Sequence, residues 1–351
     1  METSGFSNGQ SPSNSPEGEK SYRDSAQSHA GGSTIPSLPL GGDGGGLVLS
    51  ARNLTKNYGK VQALRGLTFT VKEGELYGII GPDGAGKTTL FRILTTLLTA
   101  DGGDVTVDGL DVAGDYREIR RRIGYMPGRF SLYQDLSVEE NLEFFATIFN
   151  TTISENYHLV EDIYRQIEPF RKRKAGKLSG GMKQKLALCC ALIHAPRVLF
   201  LDEPTTGVDP VSRVEFWEML RKLKERYGIT VVVSTPYMDE ATLCDRIALI
   251  QDGEFLRIDT PRGIISSYGD TLWAVRSDGM HRLLDDLRAY DDTLTAFSFG
   301  ETYHVTVRNT ARPQAMAAYL EGLGHGAVSV LPADVTIEDC FMSLMKKGGK
   351  E

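Results

Sequence analysis

Eight residues, Gly81-Pro82-Asp83-Gly84-Ala85-Gly86-Lys87-Thr88, narrow the folds open to this chain more than any other stretch. They fit the spacing GxxxxGK[ST], directly after the apolar run Leu76 to Ile80 and directly before a helical pattern carrying Leu90, Phe91, Ile93, Leu94, Leu97 and Leu98. Strand, glycine loop and helix N-terminus in that order make a phosphate cradle. The glycines let backbone N–H groups wrap an anionic phosphate chain, and the helix dipole adds positive field. In such a loop Lys87 neutralises β/γ charge and the Thr88 hydroxyl can ligate Mg²⁺.

A second motif supplies the other half of a reaction centre. Val198-Leu199-Phe200-Leu201-Asp202-Glu203 is an apolar strand that ends in two carboxylates. One carboxylate then stands near a metal and the other near a water, so Asp202 is assigned to Mg²⁺ and Glu203 to general-base work on the attacking water. Together the motifs imply an ATPase or GTPase. Further short apolar runs bounded by Gly, Asp or Pro, such as Thr230 to Val233, each followed by helical periodicity, predict an α/β core with buried parallel strands.

The rest of the composition sets limits. With 351 residues the chain has length for roughly two domains. Its 39 Lys and Arg against 46 Asp and Glu leave a net charge of −7, which speaks against nucleic acid as a partner. No run of about 18 apolar residues is present, so no spanning helix is expected. Cys189, Cys190, Cys244 and Cys340 are too scattered for a disulfide framework or a metal cluster and read as buried thiols. Residues 1–46 hold ten Ser, ten Gly and four Pro and are expected to be a disordered leader. From about Gly269 the order becomes strand, helix, strand, strand, helix, strand, which predicts a ferredoxin-like domain over 269–351, ending in a helix from Thr336 to Lys346. The organisation expected is therefore a leader at 1–46, a nucleotide-binding domain at 47–268 and a small α+β domain at 269–351.

Leu178-Ser179-Gly180-Gly181-Met182-Lys183-Gln184 narrows the class, because it caps a helix just upstream of the acidic strand. Here the sequence resembles the ATP-binding cassette (ABC) family, whose signature reads LSGGQ and in bacterial exporters often LSGGMKQ. The resemblance covers about residues 47 to 265. It implies a P-loop cassette with a RecA-like core, an antiparallel β subdomain and a helical signature subdomain. It implies ATP and Mg²⁺ as ligands, with the loop extended through Thr89. It also implies a head-to-tail dimer in which Ser179, Gly180 and Gly181 close over the γ-phosphate of the opposite cassette. Tyr58 resembles the aromatic that stacks on adenine, and Asp209 in Thr205-Thr206-Gly207-Val208-Asp209-Pro210 resembles the residue that crosses the dimer interface. Leu132 through Leu142 resembles the segment that receives a coupling helix from a membrane partner.

Within the family the motifs look most like ATP-binding subunits of bacterial ABC-2-type exporters, which serve multidrug, antibiotic or polymer efflux. That implies an integral-membrane permease, a second cassette in a homodimer or heterodimer, and a cytoplasmic position, peripheral on the inner face of the plasma membrane. The basic run Arg171-Lys172-Arg173-Lys174 reads as a solvated loop, with anionic headgroups as the other use. A non-transport cassette ATPase acting on ribosomes or DNA is the alternative, although the coiled-coil or zinc insertions usual there are missing.

Two positions depart from the family pattern. It expects Gln after Gly-Tyr-Met-Pro, where this chain has Gly128, and His after the strand that follows the acidic one, where this chain has Pro236. Gln134 is a substitute to consider for the first. The histidines, His29, His158, His194, His281, His304 and His325, all lie elsewhere, and His194 reads as a capping or core residue. These losses leave two readings open. Either the chain binds ATP at a degenerate site while its signature serves a competent partner cassette, or two identical sites turn over slowly.

Overall fold

Leu76 to Ile80 is buried at every position because it lies in the middle of a sheet covered on both faces. The computed structural model describes residues 46–348, so the leader expected over 1–46 lies, but for Gly46, outside the described residues. In chain order, β1 (Leu47–Tyr58) and β2 (Val61–Lys72) form a hairpin that leads to β3 (Leu76–Ile80) and α1 (Lys87–Leu94). Next come β4 (Gly102–Val107), β5 (Leu110–Asp111), α2 (Tyr116–Arg122) and β6 (Ile123–Met126). A helical section contains α3 (Val138–Ile148), α4 (Tyr157–Ile167) and α5 (Gly180–Leu192). It is followed by β7 (Val198–Asp202), α6 (Pro210–Tyr227), β8 (Thr230–Thr235), β9 (Arg246–Gln251), β10 (Glu254–Asp259) and α7 (Pro261–Ser266). The last section contains β11 (Thr271–Arg276), α8 (Met280–Ala289), β12 (Thr293–Phe299), β13 (Thr302–Val307), α9 (Pro313–Gly322), β14 (Ser329–Pro332) and α10 (Ile337–Gly348).

The central sheet has the order β10-β9-β3-β8-β7-β6, parallel except where β10 folds back on β9. Alternate residues feed two cores. Tyr77, Ile79, Phe200, Val232 and Ile250 face the antiparallel sheet β2-β1-β4-β5 and helix α1. Leu76, Ile80, Leu201, Val233 and Leu249 face the helical section. Such two-sided burial explains why these strands read as unbroken apolar runs.

Helix α1 stops at Leu94, four residues short of the apolar pattern. The Thr95 hydroxyl returns to the Phe91 carbonyl at 2.8 Å, and Thr96 takes a left-handed φ of 63° that no α-helix continues. Leu97, expected on the buried face, is consequently 56% exposed.

The last section forms an all-antiparallel sheet β12-β13-β11-β14, the strand order of a split βαβ plan. It has its own core around Trp273, Leu283, Val305 and Leu320. Helix α10 crosses out of it. Ile337, Cys340 and Phe341 are buried with Ile264, Tyr268 and Ala241 in the core beneath the central sheet. At the other side of α10, Asp339 bonds the His304 ring at 2.7 Å and accepts from the Thr336 hydroxyl at 2.7 Å. All four cysteines are buried free thiols. Among the described residues no helix is long and apolar enough to cross a membrane.

Candidate active site

The C-terminal ends of β3, β7 and β8 lie side by side, with Ile80 paired to Thr235 and Asp202 paired to Ser234. This edge of a parallel sheet is where α/β folds bind ligands. The loop after β3 starts with Gly81 donating its N–H to the Thr235 carbonyl at 3.2 Å. A Cβ at position 81 would sit 2.1 Å from the Ile250 carbonyl oxygen, so β9 itself demands glycine there. Gly86 has φ +105°, and a Cβ on it would lie 2.7 Å from the Ala63 carbonyl oxygen of β2.

Lys87 opens α1 and is only 3% exposed. Its ammonium group donates to the carbonyls of Gly81 at 2.8 Å and Pro82 at 2.9 Å, and pairs with the Glu203 carboxylate at 3.1 Å. Asp83 is farther away, at 3.9 Å. Tyr58 ends β1 and is 47% exposed. It is carried by the same hairpin whose Ala63 and Leu64 touch the Gly86 turn, which puts the hairpin beside the phosphate loop.

Asp202 is 2% exposed and accepts the Ser234 hydroxyl at 2.7 Å. Burial pushes its carboxyl above the usual Asp range, against the bonds from Ser234 and Thr88 that pull it down. A buried carboxylate short of positive charge, with a threonine hydroxyl beside it, is an oxygen donor set that fits Mg²⁺ completed by substrate phosphates. Glu203 follows with a left-handed φ of 50°. Strain of about 1–3 kcal/mol is usual for such a residue. Here it is held by the Glu203 N–H donating to the Ser234 carbonyl at 3.1 Å and hydroxyl at 3.0 Å. The turn directs the Glu203 side chain at Lys87 rather than along the strand.

Position 128 borders both acidic residues. A Cβ on Gly128 would meet the Asp202 carbonyl oxygen at 3.0 Å and the Glu203 Cβ at 3.7 Å. Gln134 does not replace it, for its backbone accepts from the Gly176 N–H at 2.9 Å and its side chain lies against the same glycine. Pro236 directly follows Thr235, the residue bonded to Gly81, and offers no N–H and no polar side chain. His194 stacks on Phe149 with 3.7 Å between centroids and bonds the Ile123 carbonyl at 2.9 Å. His304 and His325 belong to the last section, paired with Asp339 and Asp286.

The signature residues form a separate cluster. Ser179 caps α5, accepting the Met182 N–H at 3.3 Å. A Cβ on Gly181 would meet the Ser212 hydroxyl at 2.6 Å, and one on Gly180 the Gly207 carbonyl at 3.5 Å, so the signature lies against the first turn of α6 and the loop before it. Asp209 caps α6 by accepting the Ser212 N–H at 3.0 Å, a bond that holds its carboxyl below the usual range. The Arg171–Lys174 run is exposed. A cavity of about 380 Å³ opens between the central sheet and the helical section, lined by Tyr125, Phe130, Leu132, Phe145 and Phe149. Just after its Leu132, the fully buried side chain of Asn141 donates to the Tyr133, Leu136 and Ser137 carbonyls.

Sequence reasoning gave no role to Asn141, Ser234, Thr205, Arg213 or Glu240, although Asn141 and Thr205 fall within stretches it named. Glu240 is the largest omission. It is 2% exposed and takes hydrogen bonds from Thr235, Thr205 and Arg213. The sequence places it in a Met-Asp-Glu-Ala stretch that resembles the family after the strand, but gives it no role of its own.

A phosphate loop, a buried lysine and strand-end carboxylates gathered at one sheet edge define a P-loop nucleotide-binding protein, and the capped glycine pair of the signature narrows that class to cassettes. Residues 64–206 match the ABC transporter family. The chain belongs to the ATP-binding proteins of ABC transporters. It is 36% identical to a Nod factor export ATP-binding protein I of Burkholderia orbicola, over 84% of this chain and 95% of that one. It is 41% identical to a probable multidrug ABC transporter ATP-binding protein of Escherichia coli over 66% of this chain, and spans only 41% of that protein's length. A daunorubicin resistance ATP-binding protein of Streptomyces coeruleorubidus is 42% identical over 64% of this chain and 70% of its own length. Among solved structures, a bacterial ABC transporter cassette determined as a dimer superposes with a TM-score of 0.55 at 31% identity, covering 60% of this chain and 98% of that one.

Proposed function

We propose that this chain is the ATP-binding and ATP-hydrolysing subunit of a bacterial ABC-2-type exporter, working with an integral-membrane permease and a second cassette. The observation that carries the reading is the convergence of Lys87, Asp202 and Glu203 at one sheet edge, with Glu203 held 3.1 Å from the Lys87 ammonium. The drug-resistance and export functions named for its relatives support the direction of transport. They point to small-molecule cargo such as drugs. The chain would sit on the inner face of the plasma membrane, with the 380 Å³ groove taking a helix of the permease. Residues 269–351 would act as an accessory domain on the nucleotide-binding domain at 47–268.

The proposed roles are supported by the geometry at the sheet edge and, for Tyr58, the signature and Asp209, by the family resemblance. The N–H groups of Gly84, Ala85, Gly86, Lys87, Thr88 and Thr89 and the ammonium of Lys87 bind phosphate oxygens. Thr88 and Asp202 would hold Mg²⁺, which when bound neutralises charge on the phosphates. Glu203 accepts the proton of the attacking water. Tyr58 packs on the base. Ser179, Gly180, Gly181 and Asp209 serve the partner's nucleotide across a head-to-tail interface. Gly128 and Pro236 supply neither a contact to the water nor a donor to the γ-phosphate, so this site turns over slowly and the signature supports a more competent partner site.

Affinity purification from membranes tests the assembly, and Mg²⁺-dependent phosphate release by the purified chain tests the chemistry. A polytopic permease in the eluate and slow, Mg²⁺-dependent turnover are expected. Ribosomes in place of a permease, or no binding of MgATP, would overturn the reading.

A further inference from the structure

We propose that Glu240 is a positioning residue for the reaction at Glu203, an inference that rests on the reading that this site hydrolyses ATP. Glu240 lies just beyond β8, and its carboxyl group joins three separate segments. Thr235, at the end of β8, donates its hydroxyl to Oε2 at 2.5 Å, and Thr205, in the loop after β7, donates to the same oxygen at 3.1 Å. Arg213, from the start of α6, donates its Nε–H to Oε1 at 3.2 Å. The same guanidinium pairs with Asp239 at 3.1 Å and lies 4.2 Å from the centre of the Tyr237 ring.

Two of those segments touch the site, and the third carries the residue expected to reach a second cassette. The Thr235 carbonyl accepts the Gly81 N–H that starts the phosphate loop. Thr206, next to Thr205, donates its hydroxyl to Glu203 Oε2 at 3.4 Å. Asp209, the residue expected to reach a second cassette, caps the helix that carries Arg213. A buried carboxyl group is costly to leave unbonded, so loosening any of these segments also strands Glu240. The left-handed backbone of Glu203 persists only because its surroundings over-determine it. Ser234 holds it from β8, and Glu240 holds the following loop through Thr205.

A carboxylate suits this site better than an amide, because it accepts on both oxygens and pairs its charge with Arg213. Both Glu240 oxygens accept hydrogen bonds, whereas a glutamine has one accepting oxygen and an NH₂ group. Glu240→Gln must turn that NH₂ toward either Arg213 or the two threonine hydroxyls.

The full-length chain carrying Glu240→Gln, Thr205→Val, Thr205→Ser or the Glu240→Gln/Thr205→Val pair would be measured for MgATP binding, kcat and KM, and amide hydrogen exchange over residues 204–209. Glu240→Gln and Thr205→Val should each lower kcat about tenfold or more, as a misplaced catalytic group does. KM and MgATP affinity should stay within about twofold, and exchange over 204–209 should quicken. Thr205→Ser, which keeps the hydroxyl, should behave as wild type, and the double variant should be no worse than Glu240→Gln alone. Unchanged kcat and exchange in Glu240→Gln would overturn the proposal, as would a kcat loss that Thr205→Ser shares with Thr205→Val. A wild-type chain that binds MgATP without turnover would sink the hydrolysis reading alone. The exchange rates then decide: faster in Glu240→Gln and Thr205→Val but not in Thr205→Ser supports Glu240 as the anchor of the loop, and equal rates in all four overturn it.

Discussion

Asp202 and Gly128 are neighbours at one nucleotide site, yet their surroundings are built on opposite plans. Around Asp202 the side chains are polar, buried and bonded: Ser234 to Asp202, the Ser234 hydroxyl and carbonyl to the Glu203 N–H, and Lys87 to two carbonyls and Glu203. Around Gly128 and Pro236 there is backbone but no side-chain donor or acceptor at either position, although a Cβ at 128 would stand 3.0 Å from the Asp202 carbonyl oxygen. The proposed function makes gripping a nucleotide and cleaving it separable: the first would use the intact side, and the second would rely on Glu203 with little help from the other.

Removing Glu203 should break the comparison most severely. Glu203→Gln is expected to lower turnover by about 10²–10⁴, the usual worth of a general base, while MgATP binding persists; filter binding alongside a phosphate assay reads both. Binding lost together with turnover would show that the two sides are not separable.

Filling the bare side should act in the opposite direction. Gly128→Gln combined with Pro236→His is expected to raise kcat by about 10²-fold, the scale of one restored transition-state donor. Gly128→Gln alone should gain less, because it restores one of the two missing contacts while its Cβ still displaces the Asp202 carbonyl by a few tenths of an ångström. A steady-state assay in which the double variant stays at the wild-type rate would mean that position 128 or 236 has been matched to the wrong role.

The smallest effect concerns stability and pH. Burial raises the Asp202 carboxyl above its ordinary range, so the folded chain holds that proton more tightly than the unfolded chain does. The resulting stabilisation is complete below the ordinary Asp range and is lost as pH rises through the raised value. At neutral pH the ionised Asp202 thus costs stability when no cation is bound. Asp202→Asn, which can still accept from Ser234, should unfold a few degrees higher than wild type at neutral pH without Mg²⁺, at about 2–4 °C per kcal/mol relieved. The gain should shrink as pH falls to about 4. Differential scanning calorimetry across that range checks the sign.

The parts of this site that could be read before the structure are those written in short, contiguous code. Leu76 to Thr88 carries strand, glycine turn and helix start within thirteen residues of one another, and the structure places Lys87 where that code puts it. The roles of Ser234 and Glu240 were illegible for a different reason. A Ser-Thr strand end followed by charged residues has the composition of a surface turn. Only the pairing of Asp202 with Ser234 across β7 and β8 turns the Ser234 hydroxyl into a carboxylate's partner. Leu97 and Leu98 show the reverse error, where apolar periodicity outlasts the helix. Thr96 reverses the chain's handedness at φ 63°, a backbone event that hydrophobic spacing does not encode.

Helix α10 gives the order of synthesis a physical meaning. Cys340 reaches back 76 positions to bond the Ile264 carbonyl, and Ile337 and Phe341 enter the same apolar interior as Ala241. The boundary near residue 269 thus separates two sheets, each with its own core, but α10 from beyond it completes the core on the near side. During translation the nucleotide-binding part emerges first with an apolar flank open around Ile264 and Tyr268, and it stays open while the small sheet is being made. The flank is sealed only when α10 has left the ribosome, so a chain stalled before Ile337 carries a complete phosphate loop on an unfinished interior.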